Sequence, residues 1–225
     1  SKHAPPLYID ENTPMCIAFV GLNEAVQSYT GYQIHEREES WLFGLRLLTM
    51  IKESLTKKQK ELEFPLAFAC APAETTAGRL ARLDVFDPSK EISDLARKVV
   101  KGDLQKALEN PDQSDQPIYY TNGAMIADGA NVDILTKIKL EDPAFCIVDG
   151  GDMLHIWLGE KETSPQALME FAFNMFKNTN IDYCAFTKDF SMCETCKTLL
   201  PGLKEKCSNC ESENLTQYTR VTGYF

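Results

Sequence analysis

The chain ends with SMCETCKTLLPGLKEKCSNCESENLTQYTRVTGYF, residues 191–225, and its organisation follows from this stretch. The stretch contains two Cys-x-x-Cys pairs, Cys193/Cys196 and Cys207/Cys210, separated by ten residues. Two short knuckles at this spacing fold back on each other and present four thiolates to one tetrahedral ion. The pattern therefore predicts a zinc site made by these four cysteines.

Spacing alone leaves three alternatives to zinc open for the cysteines. They are four thiols that are close only in sequence, a redox-active Cys-x-x-Cys, and an iron–sulfur cluster held by four thiolates. The spacer contains Pro201, Gly202 and three lysines. It is more typical of a structural knuckle than of a redox motif, which is expected where a strand leads into a helix.

The segment after the knuckles has two interpretations. Residues Leu215 to Val221 are enriched in Thr, Tyr and Val, which predicts a strand. The chain then ends in Thr222-Gly223-Tyr224-Phe225, where Gly223 is by default a turn residue in a frayed terminus. A metal knuckle placed directly before so short a segment instead indicates that the segment is held in place.

The ending resembles a known signature. Arg220 to Phe225 is similar to the glycyl-radical loop of anaerobic (class III) ribonucleoside-triphosphate reductases, whose large subunit closes with a four-cysteine zinc site followed by this loop. Other stretches resemble the family in the same order along nearly the whole chain. They are Gly21-Leu22-Asn23-Glu24-Ala25, Ala71-Pro72-Ala73-Glu74-Thr75-Thr76, Tyr120-Thr121-Asn122 and Asp149-Gly150-Gly151.

This resemblance implies an α/β fold, the second half of a ten-stranded α/β barrel of the glycyl-radical and ribonucleotide reductase type. Residues 1–187 are expected to form the half-barrel with a substrate-phosphate turn. Residues 188–225 are expected to carry the zinc-ribbon knuckle and the glycyl-radical loop. In the family, a finger loop through the middle of the barrel carries the cysteine that becomes a thiyl radical. No cysteine outside the knuckles matches that loop in this sequence. An N-terminal portion or chain is therefore expected to supply the thiyl cysteine and the first half-barrel.

The resemblance also implies the chemistry. Gly223 is expected to store the radical, which an activating enzyme with an iron–sulfur cluster installs by cleaving S-adenosylmethionine. Arg220 and Tyr224 are expected to anchor the loop on either side of it. Only glycine lacks the Cβ that would crowd a planar radical centre. The substrate is expected to be a ribonucleoside triphosphate, and the enzyme a homodimer.

A second candidate site is the stretch from Ala71 to Arg79. It follows an apolar run and predicts a strand-to-helix turn, with hydroxyls and amides at the first helical turn where phosphate binds. Threonine and glutamate at such turns are also ordinary helix caps. The family carries its substrate-phosphate loop at the corresponding Pro-Ala-Glu-Ser/Thr motif, which implies that Glu74, Thr75 and Thr76 bind substrate.

Composition excludes several classes of protein. A net charge of −10 argues against a general binder of nucleic acid or of membrane surfaces, which needs a basic face. The sequence has no apolar run of membrane-spanning length and no basic-then-apolar leader at its start. We therefore expect a cytoplasmic protein. The remaining cysteines lie in apolar stretches and are expected to be buried free thiols: Cys16, Cys70, Cys146 and Cys184.

Hydrophobic patterning predicts strands alternating with helices, as in parallel α/β proteins. A helix of about seven turns is expected from Glu36 onward, with leucines along one face. Ser164-Pro165 predicts a capped helix start. Further strands are expected at Phe64–Cys70, Pro117–Tyr120, Phe145–Val148 and Ile181–Thr187, and a tight turn at Asp149–Asp152 leads into an apolar run at Met153–Leu158.

A non-enzymatic function is the alternative. In it, the knuckle is a zinc-ribbon interaction module on a ligand-binding α/β domain, without radical chemistry. The terminal glycine motif distinguishes the two functions, because a scaffold does not need it at a fixed distance after a metal site.

Overall fold

The computed structural model describes residues 13–112, 117–159 and 163–218. Helices and strands alternate through most of this part of the chain, so the predicted α/β class is confirmed. The elements, in chain order, are β1 (Met15–Ala18), α1 (Leu22–Thr30), α2 (Glu38–Leu62), β2 (Leu66–Ala69), α3 (Glu74–Val85), α4 (Lys90–Val99), β3 (Lys101–Gly102), α5 (Leu104–Glu109), β4 (Ile118–Tyr119), α6 (Ile134–Ile147), β5 (Leu154–Gly159), α7 (Pro165–Asn178), β6 (Cys184–Lys188), β7 (Phe190–Cys193), β8 (Leu199–Pro201) and β9 (Leu215–Tyr218).

Local sequence explains where several helices begin. The Ser164 side chain accepts a hydrogen bond from the backbone N–H of Ala167 and Pro165 occupies the first helical position, which confirms the predicted start of α7. The Asp133 side chain accepts from the N–H groups of Leu135 and Thr136 at the start of α6. Each cap provides an acceptor for N–H groups that no preceding turn can satisfy.

The parallel strands form two pairs, which the segment before β5 connects. β1 pairs with β2 and β5 pairs with β6, both in parallel. The chain just before β5 lies beside β2, where Asp149 N–H donates to Phe68 O (2.7 Å) and Cys70 N–H donates to Gly150 O (3.2 Å). The segment from Asp149 to Gly159 therefore contacts β2 first and β6 afterwards.

One predicted strand is wrong. Phe145–Val148 is expected from the sequence to be extended, but α6 continues through Pro143 to Ile147. Ala144 is fully buried against the core of α1 and α2, whereas Phe145 faces the core under β5 and β6. A short apolar run reads the same in a buried strand and in a helix packed on two sides, and the capped start at Asp133 favours the helix.

The largest apolar core joins α1, α2 and β2, with Val26, Leu48 and Phe68 at most 1% exposed. A second core lies between α3, α4 and β4, and a third lies under α6, α7 and the β5–β6 pair. The leucines expected along one face of α2 are not all covered by this core, because Leu42 is 41% and Leu62 is 62% exposed.

The burial predicted for the isolated cysteines is also partly wrong. Cys70 is buried and Cys184 is half-buried, but Cys16 and Cys146 are exposed. Cys16 lies on β1, whose four residues are all exposed. Cys146 lies near the end of α6, on the exposed side of the helix.

A small antiparallel sheet of order β8-β7-β9 follows β6 after a single residue, Asp189. The predicted division between residues 1–187 and 188–225 falls next to this transition and stays a prediction. Among the helices of the described residues, none is long and apolar enough to cross a membrane.

Candidate functional site

The two Cys-x-x-Cys pairs form two copies of the same knuckle. In the first, Cys193 N–H donates to Thr198 O (3.0 Å) and Lys197 N–H donates to Cys193 O (2.8 Å). In the second, Cys207 N–H donates to Ser212 O and Glu211 N–H donates to Cys207 O, both at 2.9 Å. Lys197 and Glu211 follow the second cysteine of their pairs and have φ of 58° and 59°. The repeated backbone geometry turns the sulfurs of both knuckles toward one point.

The predicted ligands are brought together. The Sγ atoms of Cys193, Cys196, Cys207 and Cys210 all lie within 4.8 Å of one another. The Cys193–Cys210 and Cys196–Cys207 sulfur pairs are 3.5 and 3.6 Å apart. A tetrahedral ion with Zn–S bonds of about 2.3 Å separates its sulfurs by about 3.8 Å. The donor set therefore fits a single zinc ion.

The sulfur distances weigh against a disulfide and an iron–sulfur cluster, and the position of Cys193 in the chain weighs against a redox motif. Sulfurs 3.5 Å apart are not bonded as a disulfide, which requires about 2.05 Å. An iron–sulfur cluster distributes its cysteines over more than one iron atom, which needs a wider arrangement. Cys193 ends β7 and leads into a turn, unlike a redox motif that opens a helix.

The thiols differ in how readily they ionise. Contacts with Thr198 and Asn209 lower the pKa of the Cys196 thiol to about 5. At Cys210 the Ser212 N–H lowers the pKa, but contacts with the other sulfurs and burial outweigh it and raise the pKa to about 12. Crowded thiols compete in this way for negative charge, and a divalent cation bound to all four favours the thiolate form of each.

The sheet that carries the knuckles is tied together away from the sulfurs. Ser191 Oγ donates to Gly202 O and accepts from Lys204 N–H, both at 2.9 Å. The rings of Phe190 on β7 and Tyr218 on β9 stack with centroids 4.8 Å apart. β9 therefore leaves the knuckles along a fixed direction. Gly223, and the anchors expected at Arg220 and Tyr224, lie outside the described residues.

The candidate phosphate turn has the predicted form. β2 ends at Ala69 and α3 begins at Glu74, so the N–H groups of Glu74, Thr75 and Thr76 open a helix. Glu74 is half-buried, and both threonines are exposed. Ala73 N–H donates to the Asn122 side-chain oxygen at 2.9 Å. The expected substrate residues thus lie at an accessible helix N-terminus next to the Tyr120–Asn122 stretch.

Sequence reasoning did not assign a function to Glu24. Its carboxylate is 3% exposed and accepts from both the N–H and the hydroxyl of Thr121, at 2.9 and 2.7 Å. Lys101 Nζ lies 3.8 Å away and balances its charge. The available signal was the position of Glu24 within Gly21-Leu22-Asn23-Glu24, one of the stretches that carry the resemblance.

Two buried carboxyls behind the turn were also missed. Glu141, in the middle of α6, is 2% exposed and accepts from the N–H groups of Met125 and Ile126. Asp152 is 4% exposed and contacts the Cys70 thiol. Burial and the nearby Glu141 charge raise the pKa of Asp152 to about 8. Neither residue belongs to a sequence pattern that distinguishes it from a surface acid.

The described residues combine a parallel α/β fold with four clustered cysteines whose geometry fits one metal ion. The sequence model of the anaerobic ribonucleoside-triphosphate reductases matches residues 8–225, and the chain belongs to this family. The resemblance found in the sequence is confirmed. A search of curated proteins found no match.

Solved structures of this family show the same fold. An anaerobic ribonucleotide reductase is 23% identical, with a TM-score of 0.69, over 94% of this chain and 30% of that one. The Thermotoga maritima enzyme with MES in its active site is 24% identical, with a TM-score of 0.68, over 94% of this chain and 32% of that one. The structure of the same enzyme in complex with dATP and CTP is 21% identical, with a TM-score of 0.66, over 94% of this chain and 31% of that one. The chain spans about a third of the length of these relatives.

Proposed function

We propose that the chain is the C-terminal part of an anaerobic ribonucleoside-triphosphate reductase and that it carries the stored radical used to reduce ribonucleotides to deoxyribonucleotides. The observation that carries this proposal is the family match over residues 8–225, which includes both the four-cysteine centre and Gly223. The match does not favour the alternative of a zinc-ribbon interaction module without radical chemistry.

In this proposal Cys193, Cys196, Cys207 and Cys210 hold one zinc ion in a structural role. Four sulfurs complete a tetrahedral shell and leave no position for a reactive water. The ion joins the end of β7 to the two knuckles, and β9 leads from the second knuckle toward the terminus. The centre therefore sets where the segment with Gly223 begins.

Gly223 is the proposed radical residue. The iron–sulfur cluster of the activating enzyme gives one electron to S-adenosylmethionine, whose C–S bond breaks to leave methionine and a carbon radical. That radical takes one hydrogen atom from the Gly223 Cα, which leaves one unpaired electron on the backbone. That electron is shared with the adjacent amide groups, and a residue without Cβ allows the planar geometry that sharing requires.

The turn before α3 is the proposed site for the substrate triphosphate. Backbone N–H groups at a helix N-terminus carry partial positive charge and bind phosphate. Thr75 and Thr76 add exposed hydroxyl donors, and Glu74 lies in the same first turn.

An N-terminal portion completes the barrel in this proposal. β1 pairs with β2 on one side, and within the described residues no other strand pairs with it. Met15 is 57% exposed and Ile17 is 36% exposed on the same strand. Apolar side chains on a half-paired strand support a covering partner. The assembled enzyme is proposed to be a homodimer, as the resemblance implies.

Reconstitution tests the proposed function. The chain is combined anaerobically with an N-terminal reductase portion, the activating enzyme, S-adenosylmethionine, a reductant and a radiolabelled ribonucleoside triphosphate. Labelled deoxyribonucleotide is expected only when all components are present, and Gly223→Ala is expected to abolish it. Product formed by the chain alone, or by the Gly223→Ala assembly, would overturn the proposal.

A further inference from the structure

Two buried glutamates hold one loop, Thr121–Ile126, from opposite ends. At its start, Glu24 on α1 accepts two hydrogen bonds from Thr121, one from the backbone and one from the hydroxyl. At its end, Glu141 on α6 accepts from Met125 N–H at 3.0 Å and from Ile126 N–H at 2.9 Å. Each carboxylate uses both of its oxygens, so each end of the loop is fixed in position and in orientation.

The residues between these anchors contact the turn that opens α3. Asn122 accepts from Ala73 N–H, and Gly123 N–H donates to Ala71 O at 3.1 Å. Gly123 has φ of +65°, and a Cβ there would lie 3.3 Å from the Pro72 Cα. The loop and the turn are thus packed backbone against backbone, and a displacement of one moves the other.

These contacts form a continuous path from the two carboxylates to the start of α3. Both oxygens of each carboxylate accept a hydrogen bond in this path, and a carboxylate side chain offers acceptors at both positions. A glutamine presents an NH₂ group to one of the two donors and leaves a buried N–H or hydroxyl without an acceptor. The change in shape is small, so the substitution tests the hydrogen bonds rather than the packing.

We propose that Glu24 and Glu141 are positioning residues that hold Thr121–Ile126, and through Asn122 the Ala71–Ala73 turn, in the geometry that binds the substrate triphosphate. This inference rests on the proposed function. It assigns the two glutamates no contact with substrate. Their effect is expected in substrate affinity, because they set the direction of the α3 amides and not the reacting atoms.

The first arm of the test measures the path itself in the full chain. Hydrogen–deuterium exchange is compared for Glu24→Gln, Glu141→Gln and the control Glu39→Gln, an exposed residue on α2. Both buried variants are expected to speed exchange in residues 121–126 and also in residues 71–77, by roughly tenfold for the loss of one buried hydrogen bond. Faster exchange confined to the substituted helix, with no change in residues 71–77, would overturn the inference.

The second arm measures substrate affinity in the reconstituted enzyme. Glu24→Gln and Glu141→Gln are expected to raise KM for the ribonucleoside triphosphate roughly tenfold and to change kcat much less. Thr121→Val removes the hydroxyl donor to Glu24 and should raise KM about as much as Glu24→Gln does. Thr121→Ser keeps the donor and should have the KM of wild type. A merely structural role predicts instead a loss of active enzyme with unchanged KM.

The outcomes separate the two proposals. An active wild-type enzyme whose KM is unchanged in both glutamine variants overturns the positioning role and leaves the proposed function standing. A wild-type assembly that reduces no ribonucleotide overturns the proposed function, and with it the assignment of these residues to substrate binding.

Discussion

Asp152 is expected to make the chain less stable as pH rises, and Asp152→Asn should remove this effect. The carboxyl is 4% exposed, and burial together with the Glu141 charge raises its pKa from the ordinary value of 3.8 to about 8. The folded state therefore holds a proton that the unfolded state releases near pH 4. Where the folded state binds more protons, the free energy of unfolding falls with increasing pH.

The magnitude follows from the pKa difference. Each pH unit between the two pKa values costs up to about 1.4 kcal/mol. From pH 5 to pH 8 the upper limit is therefore about 4 kcal/mol. Interaction with Glu141 spreads the titration over a wider range, so we expect about 2–4 kcal/mol. Asparagine has nearly the same shape as the protonated acid and has no charge to desolvate.

The assay is urea unfolding of both proteins at pH 5, 6.5 and 8 under reducing conditions, with free energies from linear extrapolation. The free energy of unfolding of the variant should exceed that of wild type by an amount that grows by about 2–4 kcal/mol from pH 5 to pH 8. Groups that do not interact with Asp152 contribute equally to both proteins and cancel in the difference, which therefore reports Asp152 together with its partner Glu141. Asp94→Asn, at an exposed residue on α4, is the control and should reproduce the wild-type pH profile. Parallel pH profiles for Asp152→Asn and wild type would refute the reasoning.

Three further predictions concern the metal, the turn and the core. Cys207→Ser should lower the zinc content from about one ion per chain to none and speed hydrogen exchange in β7–β9, whereas Cys146→Ser, at an exposed cysteine, should leave both unchanged. A zinc content of about one ion per chain in Cys207→Ser would contradict the site. Replacing both Thr75 and Thr76 by valine should weaken triphosphate binding in the reconstituted enzyme about tenfold, measured by calorimetry, and unchanged affinity would place the phosphate site elsewhere. Leu48→Ala should cost about 2–5 kcal/mol in urea unfolding because Leu48 is fully buried, whereas a cost below about 1 kcal/mol would contradict its place in the core.

The elements that the sequence predicts best depend on local chemistry. Cys193 and Cys207 each begin a Cys-x-x-Cys pair, and a doublet at this spacing has few uses besides binding a metal. Ser164 and Pro165 fix the start of α7 through one side-chain acceptor and one restricted φ. In each case, neighbours within a few residues determine the structure.

The elements that the sequence predicts poorly depend on contacts between distant segments. Residues 145–147 are helical because α6 packs on two cores at once, which an apolar run does not reveal. Glu141 reads as an ordinary helical surface acid until the fold places the 125–126 amides against it. Asp152 lies in a Gly-Gly turn that predicts exposure, and its burial follows from the packing of β2 beside it.

The central claim, that the chain stores a radical on Gly223, is tested most directly by electron paramagnetic resonance. The chain is activated anaerobically and its spectrum is compared with those of Gly223→Ala and of Gly129→Ala, a control position with no atom within 4 Å of an added Cβ. Wild type and Gly129→Ala should give a doublet, split by the one remaining α-hydrogen. This doublet should collapse to a singlet in protein made with α-deuterated glycine. Gly223→Ala should give no such signal. No signal in the activated wild-type chain, or the same doublet in Gly223→Ala, would contradict the account.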